Sequence, residues 1–161
     1  MKGPKSLLAI GMLGVLAACD TETPVGVETE PLEARIAGAT HGGRPFQVEL
    51  TGAAEAPDAG DPDGTGSAFL TLNAGQGEVC WDIAVSDIAL PGTGAHIHEA
   101  PAGSPGPVVV PLVAPDGSGT STGCTSAATA LIEDILDDPA GYYVNVHNED
   151  FPGGALRGQL R

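Results

Sequence analysis

The sequence predicts an all-β domain, a sandwich or barrel with one short helix ahead of its last two strands. Three observations carry this expectation. Past residue 43 the chain falls into short stretches where apolar and polar residues alternate, the period of a half-buried strand. The chain has 24 glycines and 14 prolines, and most of those past residue 43 fall between those stretches, where they punctuate turns. Only one segment, Ala127 to Leu136, has helical spacing.

The elements follow in order along the chain. Phe46 to Leu50 alternates, and Ala68 to Leu72 sets Phe69 and Thr71 against Leu70 and Leu72. In the next strand Val79, Trp81, Ile83 and Val85 share one face, with Cys80 and Asp82 on the other. Gly94 to Glu99 and Val108 to Leu112 come next, then a glycine-rich turn at Gly117-Ser118-Gly119. Leu131, Ile132, Ile135 and Leu136 recur at helical spacing until Asp137-Asp138-Pro139 ends the helix. Tyr142 to His147 and Ala155 to Leu160 complete the sheet.

The first residues belong to no such domain. Lys2 and Lys5 precede an apolar run from Leu7 to Ala18, too short to span a bilayer comfortably and suited to the h-region of a secretory signal. The run ends in Leu16-Ala17-Ala18-Cys19, which resembles the lipobox of bacterial lipoproteins, where cleavage leaves the cysteine N-terminal and lipid-bearing. An ordinary signal peptide that happens to contain a cysteine is the other reading. Residues 1–18 are accordingly assigned as a lipoprotein signal peptide and Cys19 as the lipidation site. Several acyl chains, palmitate among them, at about 0.8 kcal/mol per buried methylene, would hold the chain to a membrane without crossing it. From Asp20 to about Glu33 the sequence is acidic and lacks an apolar period, so residues 19–42 read as lipidated cysteine and disordered tether. The folded domain then covers 43–161. This places it on the periplasmic or cell-surface side of a membrane.

Charge excludes one class of partner. Removal of residues 1–18 leaves 21 acidic residues against four basic ones (the six of the whole chain less Lys2 and Lys5), a formal charge of −17. Such a surface repels nucleic acid and anionic head groups. With Cys19 taken by lipid, Cys80 and Cys124 remain, and an even pair in an exported chain suggests a disulfide. Closing 44 residues of chain is worth about 4 kcal/mol in the chain-entropy model. Two buried free thiols are the alternative.

Several segments together resemble one family. They are Leu50-Thr51-Gly52-Ala53-Ala54-Glu55, Gly64 to Leu72, Gly77 to Ile83, Ala95 to Gly103 running on into Pro107 to Leu112, Gly141 to His147, and Phe151 to Leu160. In this order they are similar to the CHRD domain, first described as the repeated module of chordin, over roughly residues 46 to 161. The resemblance implies a Greek-key sandwich or barrel of immunoglobulin-like build and a life outside the cytoplasm. It supplies no activity and no partner.

The histidines carry the remaining chemistry. His96 and His98 stand two apart on one strand and leave the same face; His147 ends another strand and becomes a third ligand if the strands are neighbours. Three imidazoles suit zinc or copper, and Glu99, Asp82, Glu149 and Asp150 are carboxylates available to complete or orient the shell. The pattern is loosely similar to the His-x-His strand of copper–zinc superoxide dismutase, but histidines are too few for a two-metal site. In the competing reading these imidazoles only bond carbonyls of the turns at Pro101–Gly106 and Phe151–Gly154, and no cofactor is bound. His41, near the tether, is expected to be exposed and inert. Arg157, the single basic residue between Arg44 and Arg161, is expected to form a structural ion pair with Glu99 or Asp82. No serine has a nucleophile-elbow context, and Glu133-Asp134 and Asp137-Asp138 read as a solvated helix face. The chain is therefore expected to be a non-enzymatic binding or envelope-structural module with an unidentified protein or envelope ligand, or alternatively a zinc- or copper-binding protein.

Overall fold

The computed structural model describes residues 42–161 and the isolated Gly3; the expected signal peptide, Cys19, His41 and the rest of the tether lie outside them. Eight strands build one sheet: β1 (Arg44–Thr51), β2 (Thr65–Asn73), β3 (Glu78–Ser86), β4 (Gly94–Glu99), β5 (Val108–Leu112), β6 (Thr120–Ser126), β7 (Tyr142–His147) and β8 (Leu156–Gln159). Helix α1 (Thr129–Asp137) stands between β6 and β7. Every pairing is antiparallel, in the spatial order β5-β4-β7-β8-β1-β2-β3-β6. The sheet curls into a nearly closed barrel with its seam between β5 and β6. The all-β expectation holds, including the helix ahead of the last two strands.

Alternation sorts each strand into two faces. Val48 and Leu50, Leu70 and Leu72, Trp81 and Ile83, Ala95 and Ile97, and Val144 and Val146 all enter the core. Strand β6 is the one that the sequence pattern does not announce. Its inward positions are Ser121, Gly123 and Thr125, small residues set against the one tryptophan of the chain. Trp81 stands in register with Gly123, and a Cβ there would lie 2.7 Å from the indole Cζ2. The indole fills the space that apolar β6 side chains would otherwise take. Its Nε1 donates to Ser121 Oγ at 3.0 Å, and that hydroxyl donates to Val113 O at 2.7 Å, bridging the seam.

Helix α1 buries Ile132 and Ile135 against the end of the barrel where β1 begins and β2 finishes. Thr129 Oγ1 donates to Ala74 O at 3.1 Å, and Arg44 Nη1 donates to Leu136 O at 2.8 Å. Thr51, Gly94 and His147 lie at the opposite end, by the register of β1, β8, β7 and β4. Among the described residues no helix is long and apolar enough to cross a membrane.

Cys80 and Cys124 form a disulfide between directly opposed positions of β3 and β6. Cys80 is buried beside Phe69 on the outer face, while Cys124 is exposed. The bridge fixes an edge strand whose own side chains bury little, and it closes a 44-residue loop. A Cys80→Ser/Cys124→Ser variant is expected to lose about 2 to 5 kcal/mol of stability by urea denaturation. An unchanged midpoint would show that the ladder alone secures β6.

Candidate metal centre

Strand register brings the three histidines together. On β4, Ala95 and Ile97 point inward, so His96 and His98 leave the outer face. Strand β7 pairs beside it, with Gly94 opposite His147, His96 opposite Asn145 and His98 opposite Tyr143. Ring centroids lie 5.1 Å apart for His96 and His147, 5.5 Å for His96 and His98, and 6.4 Å for His98 and His147. One nitrogen from each ring falls within 4.8 Å of the others. Nitrogens sharing a tetrahedral zinc ion stand about 3.4 Å apart, so the rings must turn inward for one ion to bind all three. Gly94 supplies the room: a Cβ there would sit 3.1 Å from His96 Cε1 and 3.4 Å from His147 Cδ2.

Two of the three rings bond carbonyls of the turns. His98 Nδ1–H donates to Gly106 O at 2.9 Å and His147 Nδ1–H to Pro152 O at 3.0 Å, in the two turns that the sequence pointed to. A carbonyl on Nδ1 is also what orients a metal-ligating imidazole, because it fixes the tautomer and leaves Nε2 its lone pair. His147 Nε2 and His96 Nδ1 are buried and have no hydrogen-bond partner. Burial holds the pKa of each of these two rings below the ordinary imidazole value of 6.5, and the neighbouring imidazoles push the same way. At neutral pH both rings are therefore uncharged, with lone pairs available. His98 is itself buried, stacked on Tyr143 with ring centroids 4.8 Å apart and planes 7° from parallel.

The ion pair expected between Arg157 and Glu99 or Asp82 does not form. Arg157 stands opposite Asn145 and shares its outward row, whereas Glu99 stands opposite Tyr142, which packs in the core cluster. The two side chains thus belong to rows of opposite parity, and Glu99 is exposed. Asp82 lies on β3, between Phe69 and Thr122. Arg157 is only 1% exposed, and its guanidinium donates to Ser104 O at 2.9 Å, Pro101 O at 3.0 Å and Gln159 Oε1 at 3.2 Å. It also lies 3.4 Å from the Tyr143 ring centroid. Together with Gln159 Nε2, which donates to Ala100 O at 2.8 Å, it pins the loop over residues 100–106. That loop carries the Gly106 carbonyl that orients His98.

Two residues that the sequence did not single out complete the face. Asn145, 2% exposed, places Oδ1 3.0 Å from His98 Nε2. Glu55 is buried against Gly154, whose φ of 145° is open to glycine and where a Cβ would lie 2.5 Å from the carboxyl carbon. Asn145 could have been found by parity, as a polar residue inside an apolar strand two positions before His147. Glu55 carries no such signal, since it follows a short 3-10 turn (Gly52–Ala54) rather than a strand. Of the other carboxylates, Glu149 and Asp150 are exposed. Neither they nor Glu99 and Asp82 join the histidine cluster. Glu78 lies beside the disulfide, whose sulfurs are already bonded to each other.

These contacts set two measurable expectations. Arg157→Met leaves buried carbonyls without donors and is expected to cost about 2 to 4 kcal/mol in urea unfolding, with Arg157→Lys recovering less than half because an ammonium lacks the guanidinium fork. Burial raises the Glu55 pKa above its ordinary 4.5, against the lowering effect of its hydrogen bonds and of Arg157. The folded state thus holds that proton more tightly than the unfolded chain. This contribution is fully present below the unfolded pKa and is lost as pH rises through the folded one. Glu55→Gln is expected to gain in stability relative to wild type as pH is raised from 4 to 8, and parallel pH curves would show that the carboxyl does not titrate in this range.

The comparisons with known proteins agree with the fold. The model of the CHRD domain matches residues 46–160. No curated protein and no solved structure matches the chain. The match spans nearly all of the described barrel, from β1 to the residue after β8 and including all three histidines, and the chain belongs to the CHRD domain family.

Proposed function

We propose that the chain is a lipid-anchored, extracytoplasmic CHRD module that binds one zinc or copper ion through His96, His98 and His147 and catalyses no reaction. The observation that carries the ion is the pair of orphaned nitrogens, His147 Nε2 and His96 Nδ1, buried on a face where a third imidazole lies within reach. Leaving buried polar atoms unmade costs about 1 to 3 kcal/mol each, and an imidazole-preferring cation satisfies both at once. Donors that are all imidazole favour copper(II) over zinc in the general order of affinities. The strongly acidic chain raises the local cation concentration around the site. The anchor rests on the apolar run and the Leu16-Ala17-Ala18-Cys19 ending, and the disulfide fits an oxidising compartment.

Calorimetric titration of the full chain with zinc and with copper(II) is expected to give one ion per chain, with copper the tighter. A His96→Ala/His98→Ala variant is expected to lose at least a hundredfold in affinity while keeping its disulfide and its circular dichroism. Binding is expected to weaken as pH falls through the lowered pKa values of His96 and His147, because ligating imidazoles must be unprotonated. A flat titration, with no rise in thermal midpoint on adding either ion, would sink the metal reading. Palmitate labelling of wild type but not of Cys19→Ser is the matching expectation for the anchor.

A further inference from the structure

We infer that Asn145 is the cap of the metal centre, an amide that competes with the ion for His98 Nε2 and so sets both its affinity and which ions enter. This rests on the metal reading above. Of the three rings, His147 and His96 each offer a free buried nitrogen, but His98 has both of its nitrogens engaged. Gly106 O can only accept, so His98 Nδ1 carries a proton, and the Asn145 amide stands 3.0 Å from Nε2. With Nδ1–H given to Gly106 O, that contact closes with the amide turned to present its NH2 to Nε2. The Nε2 lone pair is then unavailable to an ion.

The amide is held where it is. Asn145 occupies the middle of the outward row His96–Asn145–Arg157, and 98% of its surface is covered. Its side-chain contact to His98 Nε2 crosses from β7 to the neighbouring β4. An entering ion must displace that amide from His98 before the third ligand is free. Ions with strong imidazole affinity, copper(II) and zinc, meet this threshold, while manganese and magnesium, which prefer oxygen donors, do not. Loss of one hydrogen bond of this kind corresponds to a factor of roughly ten in affinity.

The test compares wild type with Asn145→Ala and with Asn145→Val, the second a strand-favouring side chain that fills part of the space without a polar atom. Zinc and copper(II) are titrated into each full-length protein by calorimetry, and the metal-free thermal midpoints are recorded alongside. Both variants are expected to bind zinc roughly tenfold more tightly than wild type although their metal-free midpoints fall. A merely structural role moves both readouts the same way. Wild-type binding with equal or weaker binding in the variants overturns the cap and leaves the centre standing. Binding in the variants but not in wild type supports the cap as complete and overturns the metal reading for the natural chain. Binding in none of them overturns both, since uncapping then frees no ligand. If the alanine variant does not fold, the valine variant decides alone.

Discussion

The register between β4 and β7 fixes two things at once, the packing of the barrel and the chemistry of its outer face. Side chains on a strand alternate, so Ala95, Ile97, Val144 and Val146 can be inside only while His96, His98, Asn145 and His147 are outside. A slip of one residue would bring imidazoles into the core and valines onto the surface. The burial of those apolar side chains therefore holds the histidines in their mutual positions. No separate device is needed to gather them, apart from the missing side chain at Gly94 that lets two rings approach.

Outside the barrel wall the same face is roofed by polar contacts rather than by apolar packing. Arg157 is a buried cation satisfied by two carbonyls, an amide oxygen and the face of Tyr143. Tyr143 OH in turn accepts from Gly106 N at 3.2 Å, and its ring stacks on His98. A buried charge is costly unless its donors are all used, and here they hold the loop that supplies the His98 carbonyl. The roof and the centre thus depend on one another, and a change in the loop reaches the histidines through Gly106 and Tyr143.

Much of this was legible in the sequence because it follows from a period of two. Strands β4, β5 and β7 have the limits their alternation suggests, and His96, His98 and His147 meet because β4 and β7 are neighbours. Strand β6 was not legible, since its inward residues are small to admit Trp81 from across the sheet, a long-range fact that no local pattern records. Arg157 was misassigned for a related reason. Opposite charge suggested Glu99, but strand parity and a loop over 100–106 decided where the guanidinium goes. Glu55 reaches Asn145 from outside the sheet, and nothing in its neighbours along the chain announces that contact.

The two ends of the barrel differ, and this gives the molecule a direction. The chain enters β1 at Arg44, on the end closed by α1, whereas His147 and Gly94 lie at the far end, roughly 25 Å away by the length of an eight-residue strand. The described chain thus enters the barrel at its helix-capped base. The His147 and Gly94 end of the histidine face lies at the rim opposite that entry.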